Sequence, residues 1–189
     1  MKKALLLDTS IGTSNVGDHI IMECVEQELA PILANTFVFH LPTHVPAFHS
    51  YAIWKNSFAV QNYAACDYKF IGGSNILAKD MRTHYPQWNV NIFNCKPLSG
   101  SVCVGVGAGA GEHTDAYTTH LYRKILGHSY YHSVRDERSK RYVEDVLGLK
   151  AINTGCVTMW ALTPDFCAQI PAKKANNVVF TLTARTQVD

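Results

Sequence analysis

The chain has 189 residues, 47% hydrophobic and 17% charged, a composition that supplies a packed core and excludes disorder. Its formal net charge of +2 comes with no long basic run, which excludes the electrostatic footprint of a nucleic-acid binder. No stretch approaches the roughly 20 apolar residues that span a bilayer, and the apolar run after Lys3 covers only Ala4–Leu7, short of a signal-peptide core.

The six cysteines are Cys24, Cys66, Cys95, Cys103, Cys156 and Cys167, none in C-x-x-C spacing. Several lie in apolar stretches, where a free thiol behaves as a small hydrophobe. A reduced, cytoplasmic protein is therefore expected. Ala4–Leu7 reads as a buried parallel strand ending at Asp8. Thr9–Val16 is a polar loop. From Gly17 to Leu33 helical spacing puts Ile20, Ile21, Cys24, Val25, Leu29 and Leu33 on one side, with Asp18 in the first turn. Thr36–Leu41 is a second strand, and His49–Tyr63 is weakly helical. Tyr68–Ile71 is a third strand running into Gly72-Gly73. The stretch from Lys79 to Pro97 fits no pattern. Val102–Val106 is a strand followed by a glycine-rich turn from Gly105 to Gly111. A helix is predicted over Thr114–Gly127, capped at its ends by Thr114 and Gly127. Ser129–Val134 is the next strand. Asp136–Leu147 is a helix with Tyr142, Val143, Val146 and Leu147 inward, and Ala151–Ile152 starts another strand.

Strands alternating with helices predict an α/β fold with a Rossmann-like, doubly wound parallel sheet. Residues 1–163 form that domain. Residues 164–177, with two prolines, read as a linker. Residues 178–189 are either an edge strand or the start of a second domain.

Ligands of open parallel sheets bind outside the carboxyl ends of the strands, and three loops fall there. The first, Gly12 to Asp18, has the glycine spacing of a phosphate loop, but Asp18 stands where its lysine should be, which argues against ATP. It reads either as a small-ligand turn at a helix N-terminus, using Asn15, Gly17 and Asp18, or as a tight turn capped by Asp18. The second, Gly72-Gly73-Ser74-Asn75, allows close backbone approach or merely a turn. The third is Gly105 to Gly111, including Gly107 and Gly109. It matches the dinucleotide fingerprint only in part and lies after the wrong strand, so no cofactor is expected. Arg135 at a strand end offers a planar fork for a carboxylate or phosphate, or pairs with Asp136 to start a helix. His113, beside the glycines, is the acid/base candidate. The spacing of His128 and His132, and of His40 and His44, shapes no metal site.

The order of segments carries more than any one of them. Asn15-Val16-Gly17-Asp18, then Gly72-Gly73-Ser74-Asn75-Ile76-Leu77, then the glycine-rich turn, then Ser133-Val134-Arg135-Asp136-Glu137-Arg138-Ser139 resembles the polysaccharide pyruvyl transferase family over residues 4–163. The family's third glycine is Ser74 here, Ala110-Gly111 replaces its usual Gly-Pro, and Thr154 to Trp160 stands where it has Asp-Pro. The resemblance implies the N-terminal half of a GT-B-like architecture, two Rossmann-like domains around a cleft. It implies transfer of a pyruvyl group from phosphoenolpyruvate to a sugar of a cell-surface glycan, with Arg135 as a cation for the donor. A nucleotide-sugar glycosyltransferase and a non-catalytic sugar- or partner-binding domain remain open. An exposed apolar flank would show itself as a homo-oligomer.

Overall fold

The computed structural model of the chain describes residues 1–82, 87–109, 113–173 and 176–177. Residues 178–189, expected as an edge strand or the start of a second domain, lie outside them. Four parallel strands form the main sheet: β1 (Lys2–Asp8), β2 (Thr36–Pro42), β3 (Tyr68–Gly72) and β4 (Val102–Val104), in the order β2-β1-β3-β4. Two more, β5 (His132–Val134) and β6 (Ala151–Asn153), pair in parallel with each other. A bridge between Val106 and Val134 carries the pairing on from β4 toward β5. The chain reverses its direction of winding between β1 and β3, and such a switch point opens a crevice at the strands' carboxyl ends.

Helices cover both faces, as the doubly wound reading requires. The α1 helix (Val16–Leu33) packs with α6 (Val157–Trp160) over Leu6 and Val104. On the other face Leu5, Leu7, Ile71 and Cys103 meet Val60 of α3 (Phe58–Ala64) and Leu121, Tyr122 and Ile125 of α4 (Ala116–Ile125). Odd and even residues of β1 thus enter opposite layers, both buried, which explains its unbroken apolar run. Cys103 is fully enclosed, and burial pushes its thiol up to about 12.

Several local expectations need correction. The buried residues of α1 are Asp18, Met22, Val25 and Leu29, while Ile20 is exposed. Its N-cap is Asn15, whose side chain accepts from Gly17 N. The segment 49–63 divides into α2 (Ser50–Trp54) and α3, because Asn56 adopts a left-handed φ of 47° between them. The cap of α4 is Asp115, which accepts from Thr118 N at 2.7 Å, not Thr114. The helix stops at Ile125, before Gly127, because Leu126 turns extended and bridges to Ser101. Asp136 caps a short α5 (Glu137–Arg141), followed by a π-helical turn over Tyr142–Val146. The wider turn leaves Val146 exposed while Tyr142, Val143 and Leu147 stay buried. The segment 164–177 opens with one more helical stretch, α7 (Pro164–Ala168), capped by Thr163.

Candidate functional site at the carboxyl ends of the strands

Over residues 106–109 the glycine stretch after β4 runs extended rather than forming the expected glycine-rich turn. Gly105 kinks the chain at φ +62°, and residues 106–109 then run between two neighbours. On one side Gly107 N donates to Ser74 O (2.7 Å), Leu77 N to Gly107 O (3.2 Å) and Gly109 N to Leu77 O (2.8 Å). On the other, Val106 N donates to Ser133 O and Arg135 N to Val106 O. The strand geometry continues past the sheet's edge and carries the loops with it. Residues 110–112 lie outside the described residues.

Gly107 matters for what it lacks. A Cβ there would collide with Asn75 Oδ1 and Arg135 Nε, so the missing side chain lets those two groups converge. Among the described residues, Asn75 Oδ1 is buried with no hydrogen-bond partner. Such orphaned atoms are rare enough to need a cause. Arg135 leans its Nε toward Asp136 Oδ2 at 3.4 Å with about a third of the side chain exposed (31%). Among the described residues nothing else binds its guanidinium. A planar cation beside an unpaired amide oxygen is suited to a ligand carrying both a carboxylate or phosphate and a hydroxyl.

The segment around Arg135 is fastened on both sides of the arginine. Ser133 Oγ accepts from Gly105 N at 2.9 Å and shares a 2.6 Å hydrogen bond with Thr154 Oγ1. Ser139, fully buried, accepts from Ala108 N at 2.8 Å. Arg138, exposed on α5, donates to Gly109 O at 3.3 Å and so ties that helix to the glycine stretch. Burial raises the Asp136 carboxyl, but the Ser139 N–H and hydroxyl and the Arg135 guanidinium outweigh it and hold its pKa below the ordinary value. No local sequence pattern gives Ser133 and Ser139 a role; the signal that could find them is their placement two residues before and four after the strand-end arginine.

The remaining predicted residues divide between two places. Asp18 is buried, takes a hydrogen bond from Asn15 Nδ2 (3.0 Å) and faces the Ser74 hydroxyl (3.2 Å), tying α1 to the loop after β3. His44 Nε2 lies 3.5 Å from Asp18 Oδ2, buried and without a hydrogen bond. Gly17 sits exposed in the first turn of α1. Gly72 and Gly73 press on α1: a Cβ at either would strike Met22 or Ile21. They bring the helix close to the sheet. Gly109 packs on Ala78. His113 is exposed on the loop before α4. One further set, Asp8, Glu26 and His40, gathers side chains of metal-ligand type from β1, α1 and β2.

Together the fold and the loops at the strands' carboxyl ends define an α/β protein of Rossmann-like type with a polar cradle built from a strand-end arginine, glycines and serines. A family model described as polysaccharide pyruvyl transferase matches residues 15–189. The chain belongs to that family, as its motif order implied. Comparison with curated proteins and with solved structures gives no match. Among the described residues, no helix is long and apolar enough to cross a membrane.

Proposed function

We propose that this protein transfers a pyruvyl group from phosphoenolpyruvate to a sugar of a cell-surface glycan, as the N-terminal half of a GT-B-like pair of domains. The carrying observation is the convergence of Arg135 and the unpaired Asn75 Oδ1 over Gly107. Phosphoenolpyruvate offers two anionic groups for the guanidinium. The sugar offers the hydroxyls that an unpaired amide oxygen accepts from.

The reaction sets the other roles. A proton adds to the donor's methylene carbon, two sugar hydroxyls add at the neighbouring carbon, and the carbon–oxygen bond to phosphate breaks. Of the two hydroxyl protons released, one balances the new methyl group and the other leaves with phosphate. Arg135 stabilises the donor's charge as it develops. Asp136 holds the arginine's Nε in place, and Gly107 and Gly109 shape the floor. Asn15, Gly17 and Asp18 at the start of α1 are assigned to the sugar, while Gly72 and Gly73 act by letting α1 lie close to the sheet. His113 is the proposed proton carrier. His44 supports a second assignment, because its Nε2 faces the buried Asp18 carboxylate and, among the described residues, has no hydrogen-bond partner.

Calorimetric titration of phosphoenolpyruvate into the purified chain, with UDP and GDP as controls, tests the reading. Saturable phosphoenolpyruvate binding that Arg135→Ala abolishes is expected. Preferential nucleotide binding, or binding indifferent to Arg135→Ala, overturns it. Pyruvylation rates of His113→Ala and His44→Ala across pH assign the proton carrier.

A further inference from the structure

We propose a divalent transition-metal site formed by Asp8, Glu26 and His40, separate from the Arg135 cradle and independent of the pyruvyl-transfer reading. The three residues come from the end of β1, the middle of α1 and β2. The parallel register sets His40 opposite Leu6. His40 therefore lies diagonal to Asp8 on the same face of the sheet, the face that α1 covers. Asp8 Oδ2 is 3.1 Å and Glu26 Oε1 3.8 Å from His40 Nδ1. All three donor atoms lie within 4.8 Å of one another, a spread that small side-chain rotations close onto one ion at bonding distances of about 2.0–2.2 Å.

Three further observations favour an ion over a simple histidine–carboxylate contact. The first is charge: even a protonated His40 neutralises only one of the two carboxylates, and among the described residues no lysine or arginine pairs with either. A divalent cation with a neutral imidazole closes that balance. The second is preparation of the buried ligand. Asp8 is 5% exposed, and its other oxygen accepts from Ser10 N at 2.8 Å and from the Ser10 hydroxyl at 2.6 Å. Carboxylates that ligate metals are held by such outer partners. The third is access: His40 and Glu26 are 39% and 48% exposed at the side chain and border a hollow of about 350 Å³ floored by Ala30, Leu33 and Val38. That leaves coordination positions open on the solvent side.

The donor set selects the ion. One imidazole nitrogen with two carboxylates suits zinc, cobalt, nickel or manganese, while magnesium and calcium prefer oxygen alone.

The test uses the full chain after chelator treatment, titrated by calorimetry with CoCl2, ZnCl2 or MgCl2, with the visible spectrum of bound cobalt recorded. His40→Ala and Glu26→Gln alter exposed side chains, and thermal melts check that both stay folded. Expected is a cobalt site whose bands show no thiolate charge transfer, with affinity lowered on the order of 10-fold or more in each variant. Magnesium binds there far more weakly. Absence of cobalt and zinc binding, unchanged isotherms in both variants, or thiolate bands placing the ion on cysteine would each overturn the proposal.

Discussion

Gly107 carries no side chain, and Asn75 and Arg135 occupy the room one would take. Its backbone is not left-handed, so alanine meets no conformational barrier there, only the two neighbours. Gly107→Ala is expected to push Arg135 away from Asn75 and weaken phosphoenolpyruvate binding about 10-fold, an effect of the size that overpacking produces (about 1–3 kcal/mol). The circular dichroism spectrum should stay unchanged. Gly105→Ala is a different experiment. Gly105 has φ +62° and a Cβ there would enter Val157, so the loss should appear as a lower melting temperature before any change in affinity. A substitution at 107 that leaves affinity untouched would show that Asn75 and Arg135 do not act on one ligand.

At the scale of elements, the segment after β5 works as a bracket. Ser133 and Ser139 hold the glycine stretch from below while Asp136 caps α5. Ser139→Ala would leave Ala108 N–H buried and unpaired, a loss of about 1–3 kcal/mol. Urea unfolding of this variant should show it, with a slope like that of the parent. This bracket also shows what the sequence could reveal. Arg135, Asp136 and the strand–helix alternation were legible, because apolar runs and helix-start residues report local structure directly. The serines' partners were not, since Ser139 bonds Ala108 across 31 positions and no local pattern encodes that. The same limit applies to His40 and Asp8, which only the register of β1 and β2 unites. Caps moved by a residue or more where a better oxygen stood nearby: Asp115 displaced Thr114, and Asn15 left Asp18 free to bond the loop after β3. The exposed Val146 was illegible for another reason, because periodicity assumes a regular helix and the chain widens to a π turn there.

For the molecule as a whole, His132 adds a buried link to the joint between the main sheet and the β5–β6 pair. It is fully buried, its Nδ1 accepts from Cys103 N (3.3 Å), and its Nε2 donates to Gly127 O (3.0 Å). Burial is the main cause lowering its pKa, aided by His128 and opposed by the Gly127 carbonyl. A proton on Nδ1 would break the bond from Cys103. The unfolded chain binds that proton more readily than the folded one. Stability therefore falls as pH drops from the ordinary histidine value of about 6.5 toward the lower folded value, and levels off below it. Chemical denaturation at a series of pH values from 7.5 downward should show this decline, and His132→Gln should flatten it. An unchanged slope in that variant would assign the acid sensitivity elsewhere.

The thiol of Cys103 can serve as a clock. It is enclosed between β3 and the helices on its face, and its pKa of about 12 keeps it almost wholly protonated near neutrality, whereas Cys167 is exposed. A thiol reagent should mark Cys167 at once and reach Cys103 only during the rare moments when the sheet opens. Peptide mapping of the two marks over hours would then count those openings. The interval between the first label and the last measures how long the protein keeps its interior closed.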